Sequence, residues 1–422
     1  MNIISGVVAK DRCIGCGVCA GLCPSNVLYM DFGANAHYQA FEKDGCNPKC
    51  DICMKVCPFY EKDLGENELN SQIFANLPSV KQDFGKFLNT YEFYKLDEKE
   101  RISSASGGAG HFIFKSLFEK DLIDYAICAV SVDYELFKFE VIKKADELEK
   151  TKSSAYYPLN LESMIKFILQ NDARFAVSAL PCFAKALRLA MAKNPKLRKR
   201  VKFIIGLVCG QGKSANFAKK LADLSFERKN VKLKRVNFRE KIEGKNAIQF
   251  SFKFIDDSGN TAFDDRSTSS FYYWGSRAFT PLACNSCTDV FAKCADAVLM
   301  DAWLSEKMSD FRGTSLVITR NEKIDEIFKS SNEFCKFIEP NLVYKSQISQ
   351  VQSKNEVYFG VKNLLKKMIL KYKLEIQKFS NENYDCEEFV LNRMNKIKKI
   401  IQIYTLLGRI KGKIFRILGI VK

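Results

Sequence analysis

Histidine and tryptophan are scarce in this chain of 422 residues, which contains two of each. Histidine is the most frequent general base and a frequent metal ligand, so His37 and His111 give little support to histidine-dependent chemistry. The sequence also lacks the phosphate-binding loop of P-loop proteins and the GxSxG nucleophile motif. These absences argue against the common ATPase and serine-hydrolase classes.

Long apolar segments and secretion signals are absent as well. No run of about 18 apolar residues occurs, so we expect no membrane-spanning helix. Since no secretory signal precedes the first cysteines, we expect a cytoplasmic protein, and disulfides do not persist in a reducing cytosol. The 16 cysteines are therefore interpreted as metal ligands or free thiols.

What the sequence does contain is a dense group of eight cysteines within its first sixty residues. They form two blocks with gaps of two or three residues, and each block ends in Cys-Pro. In two-cluster ferredoxins, the first three thiolates of each block bind one 4Fe-4S cluster and the fourth binds the other. A zinc ribbon is the alternative, but its CxxC pairs usually have a longer spacer. The predicted ligand sets are Cys13, Cys16, Cys19 and Cys57 for one cluster, and Cys46, Cys50, Cys53 and Cys23 for the other.

The pattern after the cysteine blocks is that of a mixed α/β protein. Short apolar runs alternate with segments of helical periodicity. Phe250, Phe252 and Phe254 alternate with polar residues, as in a half-buried strand. We therefore expect a mixed rather than a purely parallel sheet. Predicted strands lie at 91–96, 125–132, 174–180, 203–208, 295–299 and 314–319, and predicted helices include 109–120 and 183–191.

The chain is basic, with a net charge of +17, and much of this charge lies near its end. From Lys354 onward there are 16 Lys and Arg residues against 6 Asp and Glu residues. Residues 387–422 repeat apolar side chains at three- and four-residue steps, as in a basic amphipathic helix with candidate breaks at Gly408 and Gly412. Two interpretations are open for this helix: contact with a membrane surface, or packing against the protein's own core.

Four further cysteines have positions that suit a third cluster. Cys182 and Cys209 each follow a predicted strand, and open α/β sheets bind ligands at the carboxyl ends of their strands. Cys284 and Cys287 form a CxxC pair in a later loop. Spacing alone leaves two interpretations open: these cysteines bind a third 4Fe-4S cluster, or Cys182 and Cys209 are small buried side chains, as isolated cysteines usually are.

A run of small residues precedes the predicted helix at 109–120. Small residues let a ligand approach the backbone closely, and a helix N-terminus favours phosphate. These features suit the pyrophosphate of a flavin, although the run is not a GxGxxG fingerprint. The candidate flavin contacts are Ser104, Ser106, Gly107 and Gly108 in this run, with Lys152, Ser154 and Tyr156 further along the chain.

The order of these features resembles that of the family of coenzyme F420 hydrogenase/dehydrogenase beta subunits over about residues 5–320. Two positions depart from the family pattern, because Ala179 replaces a glycine and Ala105 splits a serine pair. After the cysteine blocks, the matching segments are 104–108, 154–156, 180–182, 206–210, 239–241, 284–287, 295–303 and 313–317.

The resemblance implies a flavoprotein in which FAD exchanges electrons with a neighbouring 4Fe-4S cluster. It implies that Cys182, Cys209, Cys284 and Cys287 bind that cluster. The fold implied is α+β or mixed α/β. The expected segments are a two-cluster ferredoxin module (1–62), a linker (63–85), the N-terminal (86–150) and C-terminal (151–345) parts of a mixed-sheet flavin domain, and a basic helical tail (346–422).

The function implied is that of an iron-sulfur flavoprotein oxidoreductase that carries out two-electron reduction or oxidation of an organic substrate or a deazaflavin. Surface-polysaccharide biosynthesis is one setting in which bacterial relatives work. The alternative is a non-catalytic electron-transfer subunit that docks to a partner oxidoreductase. Expected partners are a redox protein or a small-molecule electron donor, the organic substrate and, through the basic tail, the inner membrane surface. No nucleic-acid partner is expected.

Overall fold

The computed structural model describes residues 2–60, 64–78, 83–152, 154–265, 268–360 and 364–417. Its strands are β1 (Leu28–Phe32), β2 (Tyr38–Glu42), β3 (Asn89–Tyr94), β4 (Tyr125–Val132), β5 (Leu136–Ile142), β6 (Phe175–Ala179), β7 (Val201–Leu207), β8 (Leu233–Glu240), β9 (Ser251–Asp256), β10 (Thr261–Asp264), β11 (Ala297–Asp301), β12 (Ser315–Thr319) and β13 (Phe334–Phe337).

Helices precede, follow and connect these strands. Short 3-10 helices occur at Val8–Lys10, Ala145–Thr151 and Leu282–Ser286. The α-helices are α1 (Ile3–Gly6), α2 (Val18–Gly21), α3 (Ile52–Lys55), α4 (Glu66–Ile73), α5 (Glu98–Ser103), α6 (Ala109–Glu119), α7 (Glu162–Gln170), α8 (Pro181–Lys193), α9 (Pro195–Arg200), α10 (Ala215–Ser225), α11 (Thr268–Gly275), α12 (Ser305–Met308), α13 (Glu322–Lys329), α14 (Pro340–Ser346), α15 (Ile348–Tyr358), α16 (Leu364–Glu382) and α17 (Glu387–Ile417).

The main sheet of the described residues has the strand order β13-β3-β12-β11-β7-β6-β4-β5. Its centre is parallel, from β11 through β7 and β6 to β4. Its two edges are antiparallel, with β12, β3 and β13 on one side and β5 on the other. The prediction of a mixed sheet is therefore confirmed. Separate antiparallel sheets are formed by β1 with β2 and by β8, β9 and β10.

The sequences of the central strands are nearly continuous apolar runs, because helices cover both faces of the sheet at its centre. In β7 the sequence VKFIIGL buries five of its seven residues. Immediately after β6, Pro181 begins α8, where its fixed φ suits the first helical position and its missing N–H costs nothing. This short connection puts the residue after Pro181 at the carboxyl end of the parallel strands.

The cysteine-rich N-terminal segment shares a hydrophobic core with one face of the main sheet. Val18 and Ala20 of α2 belong to the same buried cluster as Ile165 of α7 and Ala184 of α8. Backbone hydrogen bonds add to this contact, since the N–H of Leu161 donates to the carbonyl of Cys16 at 2.8 Å. The segment is thus docked firmly on the α/β body.

The stretch predicted as a linker, 63–85, contains α4 in its described part, while residues 63 and 79–82 lie outside the described residues. Asn70 of α4 is buried and donates its side-chain amide to the carbonyl of Lys293 at 2.7 Å. This stretch therefore packs on the body along α4.

The C-terminal helix α17 runs through Gly408 and Gly412 without a break as far as Ile417. Val390 and Ile397 in its first half are buried against the body. The first half therefore packs against the protein's own core, as one of the two interpretations expected, while Ile403, Leu406 and Ile410 in the second half are exposed. Residues 418–422 lie outside the described residues. Among the helices described, none combines the length and apolar character needed to cross a bilayer.

Candidate metal centres and ligand site

The first predicted cluster ligands line one cavity of about 320 Å³, which we call the Cys13 cavity. Cys13, Cys16, Cys19 and Cys57 all contribute to its wall. All four side chains are buried, and burial raises the pKa of the Cys16 thiol to about 12. Apolar side chains such as Val7 fill the rest of the lining. Four buried thiols around one cavity suit a 4Fe-4S cube, whose binding requires their deprotonation.

The other predicted quartet lines a second cavity of about 330 Å³, which we call the Cys46 cavity. Cys23, Cys46, Cys50 and Cys53 contribute to its wall, so the fourth cysteine of each block crosses to the other cavity. Cys23, Cys46 and Cys50 are half-buried, whereas the Cys13 quartet is fully buried. The Cys46 cavity is therefore the one nearer to solvent.

A glycine allows the backbone beside the Cys13 cavity to lie close to the α/β body. Gly17 has a φ of 79°, and a Cβ at this position would lie 2.7 Å from the backbone nitrogen of Glu162. Only glycine combines this left-handed conformation with so close a contact. The main chain of the first cysteine block can therefore lie directly against the start of α7.

Cys182, Cys209, Cys284 and Cys287 come together at the carboxyl end of the parallel strands. Cys182 lies in the first turn of α8 after β6, and Cys209 follows β7. The backbone N–H of Gly212 donates to Cys284 Sγ at 3.4 Å. Burial raises the pKa of the Cys182 thiol well above its usual value, and the thiols of Cys287, Cys209 and Cys284 raise it further. We call these four residues the third quartet.

Two buried cations adjoin the third quartet. Lys354 Nζ lies 3.1 Å from Cys287 Sγ and also donates to the carbonyl of Asp289 at 2.5 Å. Arg277 is 1% exposed, and within the described residues its three guanidinium nitrogens have no hydrogen-bond partner. An anionic group would satisfy this guanidinium, and a cube held by four thiolates is anionic. The residues present therefore fit a 4Fe-4S cluster at the third quartet.

Sequence reasoning missed both cations. Lys354 belongs to α15 in the segment interpreted as a basic tail, and Arg277 follows α11. No local pattern marks either residue, because only the fold brings them beside the cysteines. The one signal in the sequence is the rarity of a basic residue between apolar neighbours, in the run Trp274 to Phe279.

The predicted flavin loop uses its own hydroxyls internally. Ser104 Oγ donates to the carbonyl of Glu100, and Ser106 Oγ donates to the carbonyl of Thr314, each at 2.8 Å. Gly107 lies so close to β3 that a Cβ would be 2.5 Å from the carbonyl oxygen of Phe93. The small residues thus serve the packing of the loop, and what remains for a ligand is the N-terminus of α6 after Gly108.

Three charged residues of the family pattern surround this loop. Arg239 donates to both carboxylate oxygens of Asp301, at 2.7 and 3.2 Å, and to the carbonyl of Ala105 at 2.7 Å. Lys241 Nζ donates to the carbonyls of Arg101 and Ser106, at 2.7 and 2.9 Å. Burial and the neighbouring Arg239 lower the pKa of Lys241 to about 7. These contacts hold the loop in a fixed conformation.

The other predicted flavin residues lie near the two ends of this loop. Lys152 forms an ion pair with Glu149 at 2.7 Å, and both act on the pKa of His111, which burial lowers. Tyr156 contributes to raising the pKa of Arg239. The half-buried Ser154 lies two residues before Tyr156 in the chain. Among the described residues, His111 Nδ1 and Arg239 Nε are buried without hydrogen-bond partners, which fits a polar ligand at this loop.

A short chain of contacts joins the flavin candidates to the third quartet. The Tyr156 ring lies 4.9 Å from the Trp274 ring, measured between centroids. Lys213 Nζ lies 4.9 Å from the centroid of the Trp274 ring. Burial lowers the pKa of Lys213, and the Cys284 thiol partly opposes this effect. Trp274 and Lys213 therefore connect Tyr156 with the surroundings of Cys284. Among the described residues, no three His, Cys, Asp or Glu side chains converge on a single-ion site.

Comparison with known proteins adds the family assignments. Residues 172–340 match the carboxyl-terminal domain family of the coenzyme F420 hydrogenase/dehydrogenase beta subunits, and residues 90–166 match the corresponding amino-terminal domain family. Residues 7–29 match the 4Fe-4S binding domain family. The first two matches together span more than half of the chain.

Two curated relatives match about half of the chain. An F(420)H(2) dehydrogenase subunit of Methanosarcina mazei is 27% identical over 216 residues, which are 49% of this chain and 55% of that protein. Coenzyme F420-dependent sulfite reductase of Methanocaldococcus jannaschii is 24% identical over 220 residues, which are 49% of this chain and 32% of that protein. The chain thus spans about half of the first relative and a third of the second.

Shorter or more distant similarities complete the comparison. An uncharacterized ferredoxin of Methanocaldococcus jannaschii is 35% identical over 52 residues, which are 12% of this chain and 66% of the ferredoxin. A solved chain from the F420-reducing NiFe hydrogenase complex of Methanosarcina barkeri has a TM-score of 0.49 at 17% identity and covers 66% of this chain and 93% of its own.

Proposed function

This chain belongs to the family of coenzyme F420 hydrogenase/dehydrogenase beta subunits and carries a 4Fe-4S binding domain; from that premise we propose that it is a flavin-dependent iron-sulfur oxidoreductase. Its three cysteine quartets would hold three 4Fe-4S clusters, and the loop at 104–108 would hold FAD. The clusters supply one-electron transfer and the flavin supplies two-electron chemistry when they are bound.

One observation carries this proposal: Cys16 of the Cys13 quartet belongs to the buried cluster against which Cys182 of the third quartet packs. The pKa of the Cys182 thiol, which burial raises, is raised further by the other members of the third quartet and by Cys16. The Cys13 quartet, which exchanges its fourth cysteine with the Cys46 quartet, would then link the Cys46 quartet with the third quartet. Redox centres that connect a solvent-facing donor with an internal site require such a series.

The residues around the loop support FAD as the ligand. The N-terminus of α6 after Gly108 favours a pyrophosphate. Lys152, Ser154 and Tyr156 would contribute charge and stacking, and the unpartnered nitrogens of His111 and Arg239 would bind polar atoms of the ligand.

The substrate we propose is a deazaflavin or another organic compound that takes part in two-electron chemistry. Two relatives are named for coenzyme F420, so the deazaflavin is the first compound to test, by loss of its absorption on reduction. The solvent-facing Cys46 cavity suits a redox protein or small-molecule donor as partner. A role in surface-polysaccharide biosynthesis stays a prediction.

The test uses two cysteine variants of the full chain, purified and reconstituted without oxygen. Cys182→Ala should lose about four of about twelve irons while FAD is retained. Cys294→Ala is the matched control, because this nearby cysteine is fully buried outside the quartet, and it should keep all of its iron. Equal iron content in both variants would exclude the third quartet as a cluster site.

The second candidate function is a non-catalytic electron-transfer subunit. It is favoured by the loop itself, because Ser104 and Ser106 already donate to backbone carbonyls. This alternative predicts purified protein with iron and sulfide but without flavin, and no binding of added FAD. The flavoprotein proposal predicts about one FAD per chain.

The second half of α17 would add a contact with an anionic lipid surface. Ile403, Leu406 and Ile410 repeat at helical spacing and are 55%, 58% and 45% exposed. Arg409 lies among them in the sequence, and Lys398, Lys399, Lys411 and Lys413 flank them. An exposed apolar face with basic neighbours binds anionic lipid through buried apolar area and charge attraction.

A further inference from the structure

Arg277 is a buried charge without a counter-charge in hydrogen-bond contact. It is 1% exposed, and its Nε, Nη1 and Nη2 atoms have no hydrogen-bond partner among the described residues. Its backbone has a φ of 60°, which places a residue other than glycine in the left-handed region. Burial of an unpaired charge and a left-handed backbone conformation both oppose folding. A sequence keeps such a residue where a bound group compensates for the cost.

The groups near Arg277 identify what that bound group is. Burial lowers the pKa of its guanidinium. The thiols of Cys284, Cys209 and Cys287 raise this pKa, but less than burial lowers it. The carboxylate of Glu356 acts in the same direction as the thiols but less strongly. The guanidinium therefore belongs to the surroundings of the third quartet.

Lys354 reaches the same quartet from another helix. Its Nζ lies 3.1 Å from Cys287 Sγ, and the side chain is buried. The backbone N–H of Gly212 donates to Cys284 Sγ at 3.4 Å. By contrast, no Lys or Arg is among the described residues that line the Cys13 and Cys46 cavities. The third quartet thus differs from the lining of these two cavities, because a lysine lies in direct contact with one of its thiols.

We propose that Arg277 and Lys354 are positioning residues for the third cluster: they compensate its negative charge and raise its reduction potential. Reduction adds one electron and no atoms, so it makes an already anionic cluster more negative by one charge. Two buried cations favour that reduced state over the oxidised one, since charges interact more strongly at a buried site than in bulk water. The inference rests on the proposed third cluster, and it makes this cluster the site where electrons collect beside the flavin loop.

The experiment is a potentiometric titration of reconstituted full-length protein, followed by electron paramagnetic resonance. The signal that is missing in Cys182→Ala identifies the third cluster. Arg277→Met and Lys354→Met should each shift its reduction equilibrium at least tenfold toward the oxidised form, which is about 59 mV for one electron. Arg277→Lys should keep most of the potential, because it preserves the charge.

Two controls separate this effect from others. Lys199→Met removes the same charge from an exposed position, where the side chain is 73% exposed, and should leave all three potentials unchanged. In iron-free protein, Arg277→Met should leave the unfolding temperature unchanged or raise it, because the variant removes an unpaired buried charge. If Arg277 had only a structural role, Arg277→Met would lower the unfolding temperature of the iron-free protein.

The outcomes distinguish the inference from the function on which it rests. Full iron content with an unmoved third potential in both Arg277→Met and Lys354→Met overturns the inference alone. Iron content that Cys182→Ala does not reduce overturns both the third cluster and the inference. If Arg277→Met fails to fold, Lys354→Met on α15 decides the question.

Discussion

The thiol of Cys16 is close enough to that of Cys182 to raise its pKa, although the two belong to different segments of the fold. Cys16 lies in the first cysteine block, and Cys182 begins a helix of the α/β body. Cys182 also packs against the buried cluster that contains Cys16, so the ferredoxin-like segment and the third quartet share one packed region. The surrounding structure maintains this arrangement through contacts that can be tested one at a time.

The docking of the first cysteine block depends on Gly17. Gly17→Ala should lower the free energy of unfolding by roughly 2–4 kcal/mol, because a Cβ would meet the Glu162 nitrogen at 2.7 Å and the left-handed φ adds strain. Gly259→Ala is the control, since Gly259 has a similar φ but nothing within 4 Å, and it should cost only about 1 kcal/mol. Urea unfolding of iron-loaded protein measures both. Equal losses would show that the close contact is unimportant.

The buried ion pair beside the flavin loop should control both stability and flavin binding. Asp301→Asn weakens the partner of Arg239, whose side chain is 5% exposed, while that of Asp301 is 23% exposed. We expect a loss of roughly 2 kcal/mol, below the 3–5 kcal/mol of a fully buried pair, together with weaker FAD binding in a fluorescence titration. The exposed pair of Arg235 with Asp133 provides the control, and Asp133→Asn should change neither quantity. If Asp301→Asn binds FAD as tightly as the parent protein does, the ion pair of Arg239 with Asp301 does not support flavin binding.

The buried carboxylate of Asp325 holds α13 against the main sheet, and its protonation should lower the stability of the protein at acid pH. Burial raises the pKa of Asp325, but hydrogen bonds from Lys329, Thr319, Asn89 and Tyr91 outweigh it, so the net pKa lies below the usual value. Because the pKa of Asp325 is lower in the folded than in the unfolded protein, its ionised carboxylate stabilises the fold at pH values above the unfolded-state pKa of about 3.9. This stabilisation is lost as the pH falls through the folded-state pKa.

Asp325→Asn should therefore be less stable than the parent protein by roughly 3 kcal/mol at neutral pH, and the difference should shrink below about pH 4. Thermal unfolding between neutral and acid pH measures this. Tyr91→Phe removes one donor, from a hydroxyl 2.8 Å from the carboxylate, and should lose about 1 kcal/mol. A difference between Asp325→Asn and the parent that is independent of pH would contradict this assignment.

The exposed apolar face of α17 should bind anionic lipid. Replacement of Ile403, Leu406 and Ile410 by serine should reduce co-sedimentation with vesicles that contain anionic lipid, and added salt should reduce it in the parent protein. Phe263→Ser, at an apolar side chain that is 52% exposed elsewhere, is the control and should bind like the parent. Equal binding to neutral vesicles, or no effect of the triple substitution, would refute the contact.

Much of the sheet could be predicted because its central strands carry their own signal. The strand at 125–132 has the predicted bounds, and β6, β7, β11 and β12 differ from prediction by a few residues at most. The edge strand β5 escaped prediction because its alternation is short, with only Lys138 and Glu140 placed between apolar residues.

The candidate site was less accessible from the sequence, for a physical reason. Two-residue gaps in the N-terminal blocks fix neighbouring thiols locally, so the ferredoxin quartets follow from spacing. Cys182 and Cys209 meet only because β6 and β7 are adjacent and parallel. Arg277 and Lys354 join them through the packing of separate helices, which no local pattern encodes.

Iron and acid-labile sulfide per chain, measured on the unmodified protein after anaerobic reconstitution, test the central claim most directly. Three quartets predict about twelve irons and about twelve sulfides. About eight of each would contradict the third cluster, and zinc without sulfide would contradict the iron-sulfur assignment of the cysteine quartets altogether.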